Sequence, residues 1–170
     1  ANLTAVYGQK RQEVSVNGFE AKFNNKAVQG RFYWENETQS VGDVGEQKLV
    51  IVFEPSTEEM ENFAVTKKDV TVTVTAADIS KATIADIDKQ EYTGSEITPE
   101  PEVKLGDVVL TKGIDYELSY ENHIEIGENA KVKVTGKGNY TGEVTKNFQI
   151  TKSINHEDIK VELSSEKLVY

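Results

Sequence analysis

The sequence predicts an all-β protein, and three observations support that prediction. Short segments rich in Val, Ile, Thr and aromatic residues recur along the chain, several of them alternate apolar and polar residues, and clusters of turn formers separate them. The clearest segments are KLVIVF (48–53), DVTVTVT (69–75), DYELSY (115–120), AKVKVT (130–135) and EVTKNFQI (143–150). Only PSTEEMENF (55–63) suggests a helical turn, and it is too short to form a stable core helix.

Alternation within the predicted strands assigns their inward faces. In GRFYWE (30–35), Phe32 and Trp34 share one face and Tyr33 lies on the other. We predict that Phe32 and Trp34 are core residues, because small β-sandwiches usually bury one large aromatic side chain. The functional alternative is a ligand patch in which an exposed Tyr33 or Trp34 stacks on a sugar ring. Tyr116 and Tyr120 in DYELSY are predicted to face the core in the same way.

Composition argues against several classes of function. The 170-residue chain has a formal net charge of −10, which disfavours binding to nucleic acid or to an anionic membrane surface. It contains no cysteine, which excludes disulfides, thiolate catalysis and cysteine-based zinc sites. No apolar run approaches the ~20 residues of a membrane-spanning helix, so we expect no membrane insertion.

Comparing the chain with itself reveals an internal repeat. VGEQKLVIVF (44–53) resembles IGENAKVKVT (126–135), and ENFAVTKKDVTVTV (61–74) parallels GNYTGEVTKNFQIT (138–151). VYG (6–8) parallels YTG (92–94). We therefore predict two tandem all-β units, residues 1–77 and 78–152, joined stiffly within TAADISKA (75–82). The tail, residues 153–170, is predicted to begin a third unit with its opening strand.

The segment GKGNYTG (136–142) has two interpretations. A phosphate-binding loop needs a G-x-x-x-x-G-K spacing, a strand before it and a helix after it. Here Lys137 precedes most of the glycines, and the residues that follow form a predicted strand. We therefore predict a turn between strands, with Tyr140 closing one end of the core as Phe63 does in the first unit.

A wider pattern surrounds this turn. It runs from YTG (92–94) through Pro99, LTKGIDYELSYEN (110–122) and GENA (127–130) to GKGNYTG (136–142) and FQI (148–150). The pattern resembles the repeats of Gram-positive, especially clostridial, cell-surface proteins, with His123 where those repeats usually have another Asn. The first unit is similar to a sister repeat of the same proteins, the YGX type, through these positions: Tyr7, Gly8, Gly30, Phe32, Trp34, Val41, Gly42, Gly45, Phe53, Pro55, Asn62 and Phe63.

The resemblance implies a fold and a role. It implies small immunoglobulin-like β-sandwiches, with a β-grasp-like arrangement as the alternative for the first unit. It also implies a non-catalytic repeat module of an extracellular bacterial protein at the cell surface or cell wall, which serves as an adhesin stalk or spacer beside further repeats. The family brings no catalytic residues and no cofactor. The alternative from another class is a module that binds glycans, host proteins or cell-wall proteins through exposed aromatic side chains.

Histidines and carboxylates are the first candidates for other chemistry. His123 and His156 are the only histidines, and they lack the spacing of a metal site. A Ser-His-Asp triad would need one of them, and no G-x-S-x-G segment presents a serine for it. Asp86 and Asp88 share a strand face, and EPSTEEME (54–61) contains four glutamates. Either group could bind calcium weakly, although a solvated acidic surface is the favoured interpretation.

Lys146 is a candidate for an intramolecular Lys–Asn isopeptide bond, which other Gram-positive surface domains contain. It is in phase with Val144, Phe148 and Ile150, so its side chain is predicted to start inward, where an unpaired ammonium is costly. The alternative is that Lys146 sits at a strand end and extends its side chain outward to solvent.

Overall fold

Strands dominate the computed structural model, which describes residues 3–153. The prediction of an all-β protein is confirmed: within that range the only helical element is a three-residue 3-10 helix, Arg11–Glu13. The strands of the amino-terminal half, residues 3–75, are β1 (Leu3–Val6), β2 (Lys22–Phe23), β3 (Lys26–Ala27), β4 (Gly30–Trp34), β5 (Gly45–Pro55) and β6 (Thr66–Thr75). Those of the carboxy-terminal half, residues 76–153, are β7 (Ala77–Asp78), β8 (Thr83–Ile84), β9 (Gln90–Glu91), β10 (Val103–Leu105), β11 (Val108–Val109), β12 (Tyr116–Glu121), β13 (Gly127–Gly136), β14 (Tyr140–Thr141) and β15 (Glu143–Thr151).

Each half is built on a four-stranded sheet, and the two sheets share one plan. The first has the order β1-β6-β5-β4 and the second the order β9-β15-β13-β12. In both, three strands pair antiparallel, and the strand that comes first in sequence pairs parallel with the last. The register also matches where these strand pairs begin, because Gly45 opposite Val74 corresponds to Gly127 opposite Ile150, although β13 has a register shift between Gly127 and Ala130 that β5 lacks.

The first core lies on one face of the amino-terminal sheet. Alternating residues from β1, β4, β5 and β6 point into it, as their period of two predicts. Irregular segments rather than a second sheet supply the cover, through Val14 and Val41. The buried residues of this core are Ala5, Val14, Trp34, Val41, Leu49, Ile51, Val72 and Val74.

The carboxy-terminal half is sandwich-like. A small sheet of β8, β10 and β11 packs across the second core from the main sheet, with Ile84 and Val103 facing Val132 and Val134. The buried residues of the second core are Ala77, Ile79, Ala82, Ile84, Val103, Leu110, Tyr116, Val132, Val134 and Tyr140. A third cluster, Ile97, Ala130, Phe148 and Ile150, packs at the other end of β13 and β15.

The segment PSTEEMENF forms the short helical turn that its sequence suggests. Residues 57–62 form turns, in which the Met60 N–H donates to the Ser56 carbonyl at 2.9 Å, and no α-helix follows. The β-grasp-like alternative needs an α-helix against the sheet, and residues 3–153 contain none. Phe63 does not close the first core either, because its ring meets the exposed Phe23 at 5.6 Å between centroids.

The tyrosines and the tail complete the comparison with the sequence. Tyr116 is buried, and the partly buried Tyr120 packs on the same core while its hydroxyl donates to the Pro99 carbonyl at 2.8 Å, so both face inward as predicted. The opening strand predicted within residues 153–170 lies outside the described residues, apart from Ser153 itself.

Candidate functional site

The GKGNYTG turn forms the joint between the two halves. Its Tyr140–Thr141 segment, β14, pairs in parallel with β7, the two residues that follow the amino-terminal sheet after a single intervening Ala76. The Ala77 N–H donates to the Asn139 carbonyl at 3.0 Å, and the Ile79 N–H donates to the Thr141 carbonyl at 2.8 Å. The chain that leaves the first sheet is therefore incorporated directly into the carboxy-terminal half.

The side chain of Asn139 links this turn back to the amino-terminal half. Its Nδ2 donates to the Asp43 carboxylate at 3.0 Å, and its Oδ1 accepts from the Val44 N–H at 3.0 Å. An amide side chain can donate and accept at the same time, which suits Asn to this double contact. We call this pair of hydrogen bonds the Asn139 clasp.

An aromatic contact supports the clasp. Tyr7, at the end of β1, packs against both the first and the second core. Its ring meets that of Tyr140 edge-on, with centroids 5.3 Å apart. An aromatic pair contributes about 0.5–1.5 kcal/mol and each of the two hydrogen bonds about the same, so these three contacts stabilise the joint by roughly 1.5–4.5 kcal/mol. That range disfavours arrangements in which the halves separate.

The structure confirms that GKGNYTG is a turn. The strand β15 follows it, as predicted, so no helix N-terminus is present to bind a phosphate. The Lys137 ammonium is already engaged by the Glu117 carboxylate at 2.6 Å and the Gly113 carbonyl at 3.0 Å. These contacts make Lys137 a brace within the carboxy-terminal half.

Lys146 lies at the candidate isopeptide position, and its contacts differ from those that the bond requires. The residue keeps the predicted phase with the buried Phe148 and Ile150, but its Nζ donates to the Asp86 carboxylate at 2.6 Å and to the Ile84 carbonyl at 2.9 Å. No asparagine side chain is bonded to it among residues 3–153. The Lys146 ammonium lowers the pKa of Asp86 below its ordinary value, first by hydrogen bonding and then by charge attraction, which favours an ion pair. These contacts favour the outward alternative in the direction of the side chain, but Lys146 lies within β15 and not at a strand end.

The aromatic pair Tyr33 and Trp34 is divided between the two faces of the sheet. Trp34 is 2% exposed, and its indole N–H donates to the Val14 carbonyl at 2.8 Å inside the first core. The prediction that Trp34 is a core residue is confirmed, and the ligand-patch alternative must be corrected because this ring does not reach the surface. Tyr33 lies half-buried on the outer face, with the Arg31 guanidinium 5.1 Å from its ring centroid.

The outer face around Tyr33 forms a shallow cleft with an apolar floor. Val52, opposite Tyr33 on the neighbouring strand, lies beneath the cleft, and Val65 stands at its edge. Two ion pairs flank the Tyr33 region, Lys67 with Glu35 at 2.6 Å and Arg31 with Glu54 at 2.5 Å. We call this surface the outer-face patch.

The remaining candidates for metal binding do not converge. Across residues 3–153, no three Asp, Glu, His or Cys side chains are placed to hold a metal ion. The Asp86 carboxylate pairs with Lys146, and Glu54 pairs with Arg31. His123 approaches Glu96 at 3.8 Å, and His156 lies outside the described residues. Nor do the described residues contain a helix that could span a lipid bilayer.

Sequence reasoning did not identify the partners of the joint. Asp43 and Val44 contact a residue 96 and 95 positions away, and Tyr7 contacts a residue still farther along the chain. Nothing in their own neighbourhood predicts such contacts. The only available signal was the recurrence of an apolar residue followed by Gly-Glu, at 44–46 and again at 126–128.

Comparison with protein-family models gives no match for the chain, and comparison with curated proteins gives none either.

Proposed function

We propose that this chain is a non-catalytic repeat region of a bacterial cell-surface protein and that it serves as a stalk or spacer. The observation that carries the proposal is the joint, where the chain leaves the first sheet and, after one residue, pairs with the turn of the other half, and where the Asn139 clasp and the contact of Tyr7 with Tyr140 add to that pairing. Tandem units that each bury their own core gain reach by repetition. The resemblance of residues 92–150 to clostridial surface repeats supports the extracellular setting.

The joint allows a direct test of stiffness. The chain has no cysteine, so Thr71→Cys and Ser119→Cys introduce two unique attachment points for spin labels on exposed positions of the two sheets. We expect pulsed electron paramagnetic resonance to give one narrow distribution of label separations, because the contacts at the joint disfavour other arrangements. A broad distribution in the otherwise unaltered chain would contradict a stiff spacer.

A matched variant shows whether the joint is responsible. Asn139→Ala removes both hydrogen bonds of the clasp while leaving the strand pair of β7 and β14 in place. The distance distribution should broaden in this variant while the circular dichroism spectrum stays unchanged. If the distribution stays narrow, the clasp does not fix the arrangement of the halves.

The outer-face patch favours a second candidate, a module that binds glycans or host or cell-wall proteins. A half-exposed aromatic ring above an apolar floor, flanked by ion pairs, can contact both the apolar and the polar faces of a sugar. Trp34→Ala is a poor probe of this candidate, because emptying a buried Trp site costs about 3–5 kcal/mol. Tyr33→Ala is the informative change.

Binding should be screened against mucins, cell-wall polysaccharides, plant and host glycans, and matrix proteins. If the patch is a recognition surface, Tyr33→Ala abolishes saturable binding in a folded protein. The control is Phe23→Ala, which removes another exposed aromatic ring from the same half and should leave binding unchanged. Absence of binding by the unaltered chain, or binding that survives Tyr33→Ala, removes support from this candidate.

A further inference from the structure

The carboxy-terminal half presents a second copy of the surface that receives the turn at the joint. In the amino-terminal half, the Tyr7 N–H donates to the Thr75 carbonyl at 2.8 Å, where the first strand meets the end of the last. In the carboxy-terminal half, the Tyr92 N–H donates to the Thr151 carbonyl at the same distance. Tyr92 therefore occupies the position that Tyr7 holds at the joint.

The register of the two sheets extends this equivalence to the clasp. Because Gly45 pairs with Val74 and Gly127 pairs with Ile150, the residues before each glycine correspond. Glu125 therefore stands at the place of Asp43, and Ile126 at the place of Val44.

The second surface has the same groups available. Both Glu125 and Ile126 are exposed, and Ile126 shows 54% of its surface to solvent. Among residues 3–153, the Ile126 N–H has no hydrogen-bond partner. An acceptor carboxylate therefore stands beside a backbone donor that has no partner in the described part of the chain, which is the combination that Asn139 uses at the joint.

Apolar surface surrounds these polar groups. Ile124 is also exposed, and Tyr92 lies partly buried against the third cluster. A cleft between Asn122 and Asn129 opens beside Ile126. The partner that fits these features carries a neutral amide for the Glu125 carboxylate and an aromatic ring for Tyr92, which is the content of an Asn-Tyr turn.

We propose that Tyr92, Glu125 and Ile126 form a docking surface for the Asn-Tyr turn of a following repeat, in the geometry by which Tyr7, Asp43 and Val44 hold the turn at 136–142. This inference rests on the proposed function of the chain as a stack of repeats. The docking surface names the residues that would contact the following repeat and the chemistry of the turn that they would bind.

The experiment extends the chain by one repeat of known sequence. Residues 1–151 are followed by a second copy of residues 76–152, so that the copy enters after Thr151 as Ala76 enters after Thr75. Spin labels are placed at Asn147→Cys in the original and at Ser119→Cys in the copy. Asn147 corresponds to Thr71 by register, so docking predicts the same narrow separation that the Thr71 and Ser119 pair gives at the natural joint.

Two variants test the named contacts. Asn139→Ala in the copy alone, and separately Glu125→Lys in the original, should each remove the narrow peak at the new joint. Neither touches the natural joint, where the peak of the Thr71 and Ser119 pair should persist. A broad distribution at the new joint, or a narrow one that survives both variants, would overturn the docking surface.

The outcome also separates this inference from the proposed function. If the natural joint is narrow and the new joint is broad, the docking surface is wrong and the spacer proposal stands. If both joints are broad, the spacer proposal fails as well.

Discussion

At the scale of single residues, Gly142 shows how closely the chain packs at the joint. Its backbone has φ of +87°, which favours glycine, and a Cβ added there would overlap the Asp78 carboxylate. That carboxylate accepts from the Ser80 N–H at 2.8 Å and from the Ser80 hydroxyl at 3.0 Å, and these hydrogen bonds lower the pKa of Asp78. Side-chain bulk at Gly142 therefore disturbs both the turn and the segment that enters from the first sheet.

Gly142→Ala should destabilise the carboxy-terminal half more than Gly113→Ala. Gly113 has nearly the same φ, +82°, but open space around its Cα, so it provides a matched control. The left-handed backbone costs an alanine about 1–2 kcal/mol at either position. An added Cβ at Gly142 also displaces the Asp78 carboxylate from its hydrogen bonds with Ser80, which adds about 0.5–1.5 kcal/mol per bond at Gly142 alone. Urea unfolding measures the free energy of each variant, and equal losses would show that the Asp78 contact is unimportant.

Residues on regular strands were the most predictable from sequence. The period of two placed Trp34 and Tyr116 in the core, because successive side chains on a strand must point to opposite faces. Phe63 was predicted wrongly because it lies in a segment of turns, where no period applies. The alternation along the strand predicted the phase of Lys146. No local pattern predicted that its ammonium group would contact Asp86.

At the scale of elements, the sequence predicted which segments form strands. It did not predict which segments cover the first core. The segments at β5, β6, β12, β13 and β15 all form strands. The irregular segments that carry Val14 and Val41 over the first core have no hydrophobic period, so a sequence pattern cannot reveal them.

The strand pairing shifts the alignment of VYG (6–8) with YTG (92–94) by one residue. Matching VYG with YTG by their glycines places Tyr7 opposite Thr93. The hydrogen bonds from Tyr7 to Thr75 and from Tyr92 to Thr151 show that the two tyrosines are the equivalent residues. The two tyrosines are thus equivalent because each follows the first strand of its sheet. The spacing from the tyrosine to the next glycine differs between the halves.

At the scale of the whole molecule, the two halves should respond differently to alkali. Burial raises the pKa of Tyr116, Tyr120 and Tyr140 above its ordinary value of 10, and all three lie in the carboxy-terminal half. Because the unfolded state loses these protons first, the free energy of unfolding of this half should fall as the pH rises past 10.

Trp34 allows the halves to be followed separately, since it is the only tryptophan and lies in the first core. We expect tyrosine ionisation to accompany unfolding of the carboxy-terminal half before the fluorescence of Trp34 changes. Tyr116→Phe removes one of the three groups and should make the decline with pH shallower. A change in Trp34 fluorescence that precedes tyrosine ionisation would contradict this order.

The joint was the least predictable feature at this scale. The sequence predicted a stiff connection within residues 75–82, but Asn139 and Asp43 meet only because two separately folded sheets bring distant turns together. Such contacts depend on the arrangement of complete units, which local propensity does not determine.

The parallel pairing of β1 with β6 has a mechanical consequence. The two strands run in the same direction, so the chain enters this sheet at Leu3, at one end of the pair, and leaves it at Thr75, at the other end. Force applied to the two ends of this sheet therefore shears β1 against β6. In this geometry the hydrogen bonds between the two strands bear the force together and do not break one after another. In the other sheet the corresponding pairing spans two residue pairs in place of four, so this half would yield first under tension.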